Sequence, residues 1–463
     1  MAQQGPQQSF GSHTSEQDEK AELFSAVLSA LNREQLPLLA STVLRRIDPD
    51  SPATQTTPSV GDPLYGSYHV LFPLIFNTGL RWAVKIPING TVGKWNDLSA
   101  SALASEASTM RMLKRETTIP LPDVLDFSST TQNTLQCPYI MMTFISGTSL
   151  YDVWFGHHLN GVSPELTQTR RTRALENIAA AMIQLDRFAF PTGGRLVFGK
   201  DEKVSGIGPA RRVDQRAMLD QCFARDDPDD GIIYVECAAY ADPKRHYTFM
   251  LDMHPEQNQV PKGIETLLHQ LISWIPEPGG AAPFVLAHPD FDIQNFIVSH
   301  DGELQAIIDW DGVAAMPRTL GNEGYPGWLT RDWDPVMYGY KESMDQGVEP
   351  EGAWEDSPTC LAYYRGLYDE MMARYRAERS HSSNTNLCRM SLITSNIAIA
   401  ADDPSCRAGI LRKMVGEIWA VAGQGAKLDF EDLVIMFAEG KVDATVMETL
   451  RKGFSILLSK EGL

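Results

Sequence analysis

Asp290, Asn295 and Asp309 are the residues of this 463-residue chain whose types and spacing could do chemistry together. They fall in the run Phe284-Val-Leu-Ala-His288-Pro-Asp290-Phe-Asp292-Ile-Gln-Asn295, with Asp309 fourteen residues further on. Phosphoryl transfer asks little covalent work of a protein: the acceptor is positioned, the phosphate charge is neutralised by metal, and the nucleophile is oriented by a base. Magnesium takes oxygen ligands and keeps several waters, so one amide oxygen and one carboxylate beside nucleotide phosphates suffice. Asn295 and Asp309 meet that requirement. Asp290, five residues before Asn295, would accept the proton of an acceptor hydroxyl. The set reads as equipment for phosphoryl transfer from ATP.

The flanking residues predict elements that would hold these groups together. Residues 284–287 form a short apolar run, and 296–300 and 304–310 are strand-like segments around Asp301-Gly302, a strong hairpin signal. Such a hairpin returns Asn295 and Asp309 to one end. A polar loop beside a solvated hairpin is the plainer alternative, but it leaves the apolar run and the Asp-Gly turn as coincidences.

At these positions the chain resembles the aminoglycoside phosphotransferase and choline kinase-like family, whose members share the protein-kinase-like fold. The family's catalytic loop reads His-x-Asp-x-x-x-x-Asn, followed by a hydrophobic strand ending in Asp-Trp or Asp-Phe. Here those positions are His288, Asp290, Asn295 and Asp309-Trp310. The resemblance implies Asp290 as catalytic base, Asn295 and Asp309 as magnesium ligands, and His288 as a structural residue behind the loop. Pro289 stands where the family usually has Gly. Asp292 stands where many members have His, and it either contacts substrate or braces the loop.

A nucleotide-binding lobe is then expected upstream. Residues 70–76 and 80–87 around Asn77-Thr-Gly79 read as a β-hairpin that places Lys85 in an apolar strand, where an ammonium is costly unless paired. Over 97–114, Leu98, Ala102, Met110 and Leu113 recur at helical spacing and Glu106 falls on the same stripe. Glu106 either reaches solvent at the edge of that stripe or pairs with Lys85, and the resemblance favours the pair, with Lys85 gripping nucleotide phosphates. Gly66, Ser67 and Tyr68 precede the hairpin without the repeated glycines of a kinase loop, and only the resemblance places their backbone N–H groups over the phosphates. Met142, Thr143 and Phe144 end an apolar strand. The resemblance makes that end the linker whose backbone binds adenine, whereas the residues alone suit an ordinary core strand equally well.

Residues 321–335 follow the metal aspartate and are rich in aromatics and carboxylates. Trp328, Asp332 and Trp333, with Asp292, are candidates for lining an acceptor site. A packed loop with Arg331 in a salt bridge is the equal alternative, because Trp and Tyr serve both purposes.

With 43% hydrophobic residues, the chain can build a large core. The expected organisation is α+β and two-lobed: a disordered tail at 1–17, an N-terminal helical extension and linker at 18–59, a β-rich N-lobe at 60–146 and a mainly helical C-lobe at 147–463. Helices are expected at 164–188, 263–274, 358–378, 404–421 and 441–459, with 195–260 irregular and Gly206-Ile-Gly208-Pro209 and the acidic stretch 226–230 as surface turns. Six cysteines without Cys-x-x-Cys spacing argue against zinc or a disulfide framework. His157, His158, His246 and His254 are read as surface or loop residues. A net charge of −19 argues against nucleic acid as a partner, no stretch reaches membrane-spanning length, and the acidic, arginine-free first 20 residues predict a cytoplasmic protein.

Two functions follow as expectations. One is an ATP- and magnesium-dependent kinase acting on the hydroxyl of a small molecule. The other is a non-catalytic kinase-like scaffold that binds nucleotide or a partner. A protein kinase fits less well, because Asp-Phe-Gly and Ala-Pro-Glu are missing.

Overall fold

The computed structural model describes residues 21–224, 233–277, 282–378, 386–423 and 427–459. The expected tail at 1–17 and the acidic turn at 226–230 lie outside the described residues. The chain divides into two compact units, one built from the N-terminal part up to Arg111 with Pro122–Ile145, the other from Met112–Leu121, Ser146–Ala224 and the chain from Ile233 on.

The first unit is organised by a six-stranded sheet. Its strands are β1 (Ser59–Val60), β2 (Leu64–Tyr65), β3 (His69–Ile75), β4 (Arg81–Pro87), β5 (Val124–Ser128) and β6 (Tyr139–Thr143). They run in the order β1-β3-β4-β6-β5, with β2 paired to β3, all antiparallel. The β3–β4 hairpin turns at Asn77-Thr78-Gly79, where Gly79 has φ +85° and its N–H bonds the Phe76 carbonyl at 3.0 Å.

Alternation along the strands assigns the two faces. Val70, Phe72 and Leu74 of β3, Trp82, Val84 and Ile86 of β4, and Tyr139 and Met141 of β6 pack with Phe24, Val27, Leu36, Ala40, Val43 and Leu44 of the helices around Ser25–Ala30 and Gln35–Ile47. The N-terminal extension is therefore a cover for one sheet face. Phe24 fills it, while the neighbouring Leu23 is two-thirds exposed. Lys85 alternates to the opposite face, that of the 20-residue helix Asp97–Glu116. Asn96 starts that helix by accepting the Ser99 N–H at 2.9 Å, and Ala102, Glu106, Ala107, Met110 and Leu113 form its buried stripe.

The second unit is mainly helical, so the described residues form an α+β fold. Ser163 caps Pro164–Met182 by accepting the Leu166 N–H, and the chain tightens into a 3₁₀ turn at Ile183–Arg187. Helices Gln259–Trp274, Pro358–Glu378, Pro404–Ala422 and Ala444–Ser459 occupy regions where periodicity predicts them. Leu387–Asp402 does not announce itself, because it is buried on nearly every side and has no polar face to set a period. Among the described residues, no helix is long and apolar enough to cross a membrane.

Residues 195–260 depart from the irregular reading. They hold β9 (Arg195–Phe198), β10 (Val204–Gly208), β11 (Ala210–Val213) and β12 (Tyr234–Cys237), together with helices Gln215–Ala224 and Lys244–Met253; before them come β7 (Thr148–Ser149) and β8 (Ala189–Phe190). Gly206 and Gly208 belong to strand β10, not to a surface turn. At Gly208 a Cβ would come within 2.9 Å of a Val197 methyl across the β9–β10 pair, so the strand is glycine-bearing by packing. His246 is likewise interior, bonded through Nδ1 to the Tyr240 hydroxyl at 2.9 Å, His254 bonds Asp214 at 2.8 Å, and His158 stacks on Trp354 with ring centroids 4.0 Å apart. Strands of four or five residues carry too little alternation to be read singly.

Gly263 shows how tightly the helices close. A Cβ there would lie 2.0 Å from the Val434 carbonyl oxygen, across the contact between Gln259–Trp274 and Phe430–Glu439. Alanine would return about 1 kcal/mol of helix propensity, but a rigid backbone oxygen cannot yield that space. Gly263→Ala is expected to cost about 1–3 kcal/mol net, seen as a lower urea midpoint with unchanged slope.

Candidate active site

The catalytic-loop residues are delivered by β13 (Phe284–Ala287), β14 (Phe296–Val298), β15 (Leu304–Ile307) and β16 (Ala314–Pro317). β13 pairs with β16 and β8, and all its residues are buried. β14 pairs with β15 in the register Phe296↔Ile307, and the Ile308 N–H bonds the Asn295 carbonyl at 2.9 Å. The hairpin thus brings Asn295 and the approach to Asp309 to one end. At the far end Gly302 turns with φ +81°, where a Cβ would stand 2.4 Å from the Arg170 carbonyl oxygen; only glycine fits.

His288 is packed behind the loop. Its Nε2–H donates to the Ile308 carbonyl at 2.9 Å, Nδ1 accepts the Asp290 N–H at 3.3 Å, and Trp310 meets it edge-on at 4.7 Å. Burial pushes its pKa below the usual histidine value, and both nitrogens are satisfied by the neutral ring. It ties the loop to the hairpin and does no acid–base work.

Asp290 is exposed, and one of its oxygens is fixed. Oδ2 accepts from Asn295 Nδ2 at 2.8 Å and from Gln294 Nε2 at 3.0 Å, while Asn295 Nδ2 also reaches the Asp290 carbonyl at 2.7 Å. Turning its nitrogen to Asp290 leaves Asn295 Oδ1 as the group available to a cation. Asp309 is exposed just past β15 and adopts φ +59°. A left-handed conformation costs an L-residue about 1–2 kcal/mol and persists where the surroundings over-determine it. Two hard oxygen donors beside a base fit magnesium by chemistry.

Asp311, two residues on, is held by Arg211 of β11, whose Nη2 lies 2.7 and 2.8 Å from its two carboxylate oxygens. Gln294, Asp311 and Arg211 are the neighbours that sequence reading misses. Gln294 and Asp311 stand next to motif positions, but nothing in sequence ties Arg211, 100 residues away, to Asp311.

A cavity of about 650 Å³ opens beside this loop within the second unit, its wall including Asp290, Asp292, Asn322, Tyr325, Arg331 and Asp334. Asp292 sits there as a brace: Oδ2 pairs with Arg331 at 2.7 Å, Oδ1 caps the Ile293 N–H at 2.7 Å, and Arg331 also pairs with Glu355 at 3.2 Å. Trp328, Asp332 and Trp333 do not line the cavity. Trp328 is buried against Trp154 and Phe296, Asp332 is held by Arg365 at 2.7 Å, and Trp333 lies under the Lys413 ammonium. The loop reading with Arg331 in a salt bridge describes this segment, because the indoles find apolar partners inside.

In the first unit, Lys85 Nζ and Glu106 Oε1 are 2.8 Å apart, with side chains 7% and 4% exposed. Gly66, Ser67 and Tyr68 form the tight turn between β2 and β3, closed by the Gly66 N–H on the His69 carbonyl at 2.9 Å. At the end of β6, Met142 is buried, the Thr143 N–H bonds the Asp123 carbonyl and the Phe144 N–H bonds the Arg81 carbonyl, each at 3.0 Å. Those two N–H groups are therefore spent within the unit.

A strand-borne lysine paired to a helix glutamate in the first unit, and a His-x-Asp loop leading into an Asn and Asp hairpin in the second, are the features expected of a kinase-type family. The chain belongs to the phosphotransferase enzyme family, APH, whose family model matches residues 81–319. It is similar to a subtelomeric hrmA-associated cluster protein of Aspergillus fumigatus, 24% identical over 286 residues, covering 50% of this chain and 53% of that protein. It is also similar to altered inheritance of mitochondria protein 9, mitochondrial, of Kluyveromyces lactis, 22% identical over 323 residues, covering 60% and 52%. The chain thus spans about half the length of these curated relatives. Among solved structures, a thermostable mutant of aminoglycoside phosphotransferase APH(4)-Ia with AMP-PNP and hygromycin B aligns at TM-score 0.39 and 14% identity, covering 92% of this chain and 99% of that one. Plasmodium vivax ethanolamine kinase aligns at 0.38 and 11%, covering 90% and 91%.

Proposed function

We propose that this protein transfers the γ-phosphoryl group of ATP to a hydroxyl of a small molecule. The observation that carries the reading is the state of Asp290: one carboxylate oxygen is fixed by two amides, and the residue remains exposed on the wall of the cavity. The other oxygen is left to orient an incoming hydroxyl and take its proton.

Asn295 Oδ1 and the Asp309 carboxylate would hold magnesium, which when bound neutralises charge on the nucleotide phosphates. Lys85, kept extended by Glu106, pairs with phosphate oxygens, and the turn at Gly66, Ser67 and Tyr68 meets them through the Ser67 N–H, since that of Gly66 is spent on the His69 carbonyl. The Thr143 and Phe144 N–H groups are already bonded, so neither is the donor to adenine. On the acceptor side, Asp334 and Asp403 line the cavity and make no ion pair with a basic side chain among the described residues, which suits an acceptor carrying an amine.

The test is magnesium-dependent nucleotide binding. The wild-type protein is expected to bind ATP more tightly with magnesium than without it. Asp309→Asn removes a charged ligand and is expected to weaken the metal-dependent component about 10- to 100-fold, the scale of lost metal-site interactions, with metal-free binding unchanged. A titration identical to wild type would remove Asp309 from the metal site.

A further inference from the structure

We propose that Arg211 is a positioning residue for Asp309, acting through Asp311, so that the paired strands β11 and β12 are a clamp on the metal-binding turn. The inference rests on the proposed role of Asp309 and adds a part of the chain that neither the catalytic loop nor its hairpin contains.

The turn 309–312 has two left-handed residues, Asp309 at φ +59° and Gly312 at φ +87°. It is anchored on one side by Trp310, fully buried, whose Nε1–H donates to the Ile307 carbonyl at 3.0 Å and whose carbonyl accepts the Val313 N–H at 3.0 Å. The second anchor is Asp311. Both its oxygens meet Arg211 Nη2, the two side chains are 15% and 6% exposed, and the guanidinium carbon lies 4.1 Å from the centroid of the Tyr234 ring. Arg211 and Tyr234 come from the paired strands β11 and β12. A charge-assisted contact to both carboxylate oxygens, stacked on an aromatic face, fixes direction as well as distance. Ile308, bonded through its N–H to Asn295 and through its carbonyl to His288, holds the chain before Asp309, and Trp310 and Asp311 hold it after, so the backbone cannot relax to negative φ at Asp309 without breaking one anchor. That conformation aims the carboxylate.

Lysine at 211 keeps the charge but loses the planar fork. Methionine loses both. The full chain carrying Arg211→Met, Arg211→Lys or Asp311→Asn is to be compared with wild type in two measurements. In metal-free protein, amide hydrogen exchange of residues 308–313 is expected to quicken about tenfold in Arg211→Met and Asp311→Asn, with the rest of the second unit unchanged, as for a local opening. In nucleotide titrations, the magnesium dependence is expected to weaken about 10- to 100-fold, with metal-free nucleotide affinity kept and Arg211→Lys intermediate. A merely structural arginine would lower global stability and both affinities together. Should Arg211→Met fail to fold, the isosteric Asp311→Asn carries the same test. Wild-type exchange and wild-type magnesium dependence in the variants overturn the clamp. A wild-type protein whose nucleotide binding ignores magnesium overturns the metal role of Asp309 itself, and the clamp's purpose with it.

Discussion

Replacing Asp290 with alanine is expected to lower kcat by about 10²–10⁴, the contribution of a positioned general base, equivalent to about 3–5 kcal/mol of barrier. Nucleotide affinity is expected to stay within about twofold, because the base touches the acceptor hydroxyl and not the phosphates in the ground state. Asp290→Asn tests the same point with less change of shape: it keeps an acceptor oxygen but cannot take a proton. Asp290→Ala frees Asn295 Nδ2 from its bond to Oδ2, leaving it only the backbone carbonyl at 290, so the magnesium titration must accompany the rate measurement. A fall in kcat with unchanged magnesium dependence isolates the base. Unchanged turnover in both variants would remove Asp290 from that role.

Removing Glu106 alone is expected to destabilise the protein by about 3–5 kcal/mol, because an ammonium stays buried without its carboxylate. Lys85 is 6% exposed and lies in the centre of the sheet, between Leu71 of β3 and Ile140 of β6, so water cannot reach it cheaply. The double replacement Lys85→Met with Glu106→Leu separates folding from function. Matched apolar side chains in place of a buried ion pair are often neutral or stabilising by about 1–4 kcal/mol, so chemical denaturation is expected to return to the wild-type midpoint or above it. Nucleotide binding is expected to remain lost, since nothing replaces the ammonium at the phosphates. A double variant that binds ATP as wild type does would show the pair to be packing alone.

How much of this was legible in the sequence depends on how far each signal reaches along the chain. The Lys85–Glu106 pair could be anticipated because both partners violate a local rule, a charge in an apolar strand and a charge on an apolar helix stripe, and each violation calls for a partner. The hairpin carrying Asn295 towards Asp309 was legible because an Asp-Gly turn fixes its register. Arg211 was not, since an arginine in a four-residue strand breaks no rule and its partner lies 100 residues away. The acceptor wall was misjudged for a different reason. Trp328 and Trp333 look the same in sequence whether they face a ligand or a core, and here the core took them. Asp332 went inside with them because Arg365 pairs with it there.

The central claim is transfer of phosphate to a small-molecule hydroxyl, and the direct measurement is a screen with γ-labelled ATP. Wild-type protein and Asp290→Ala are incubated with magnesium and a panel of hydroxyl-bearing metabolites, amine-bearing and neutral, and label is followed into the acceptor. Label is expected to enter at least one acceptor with wild type, to require magnesium, and to fall with Asp290→Ala by the factor given above. Tight magnesium-dependent ATP binding with no label transferred to any acceptor class, or transfer that Asp290→Ala leaves unchanged, would contradict the account and favour a nucleotide-binding scaffold.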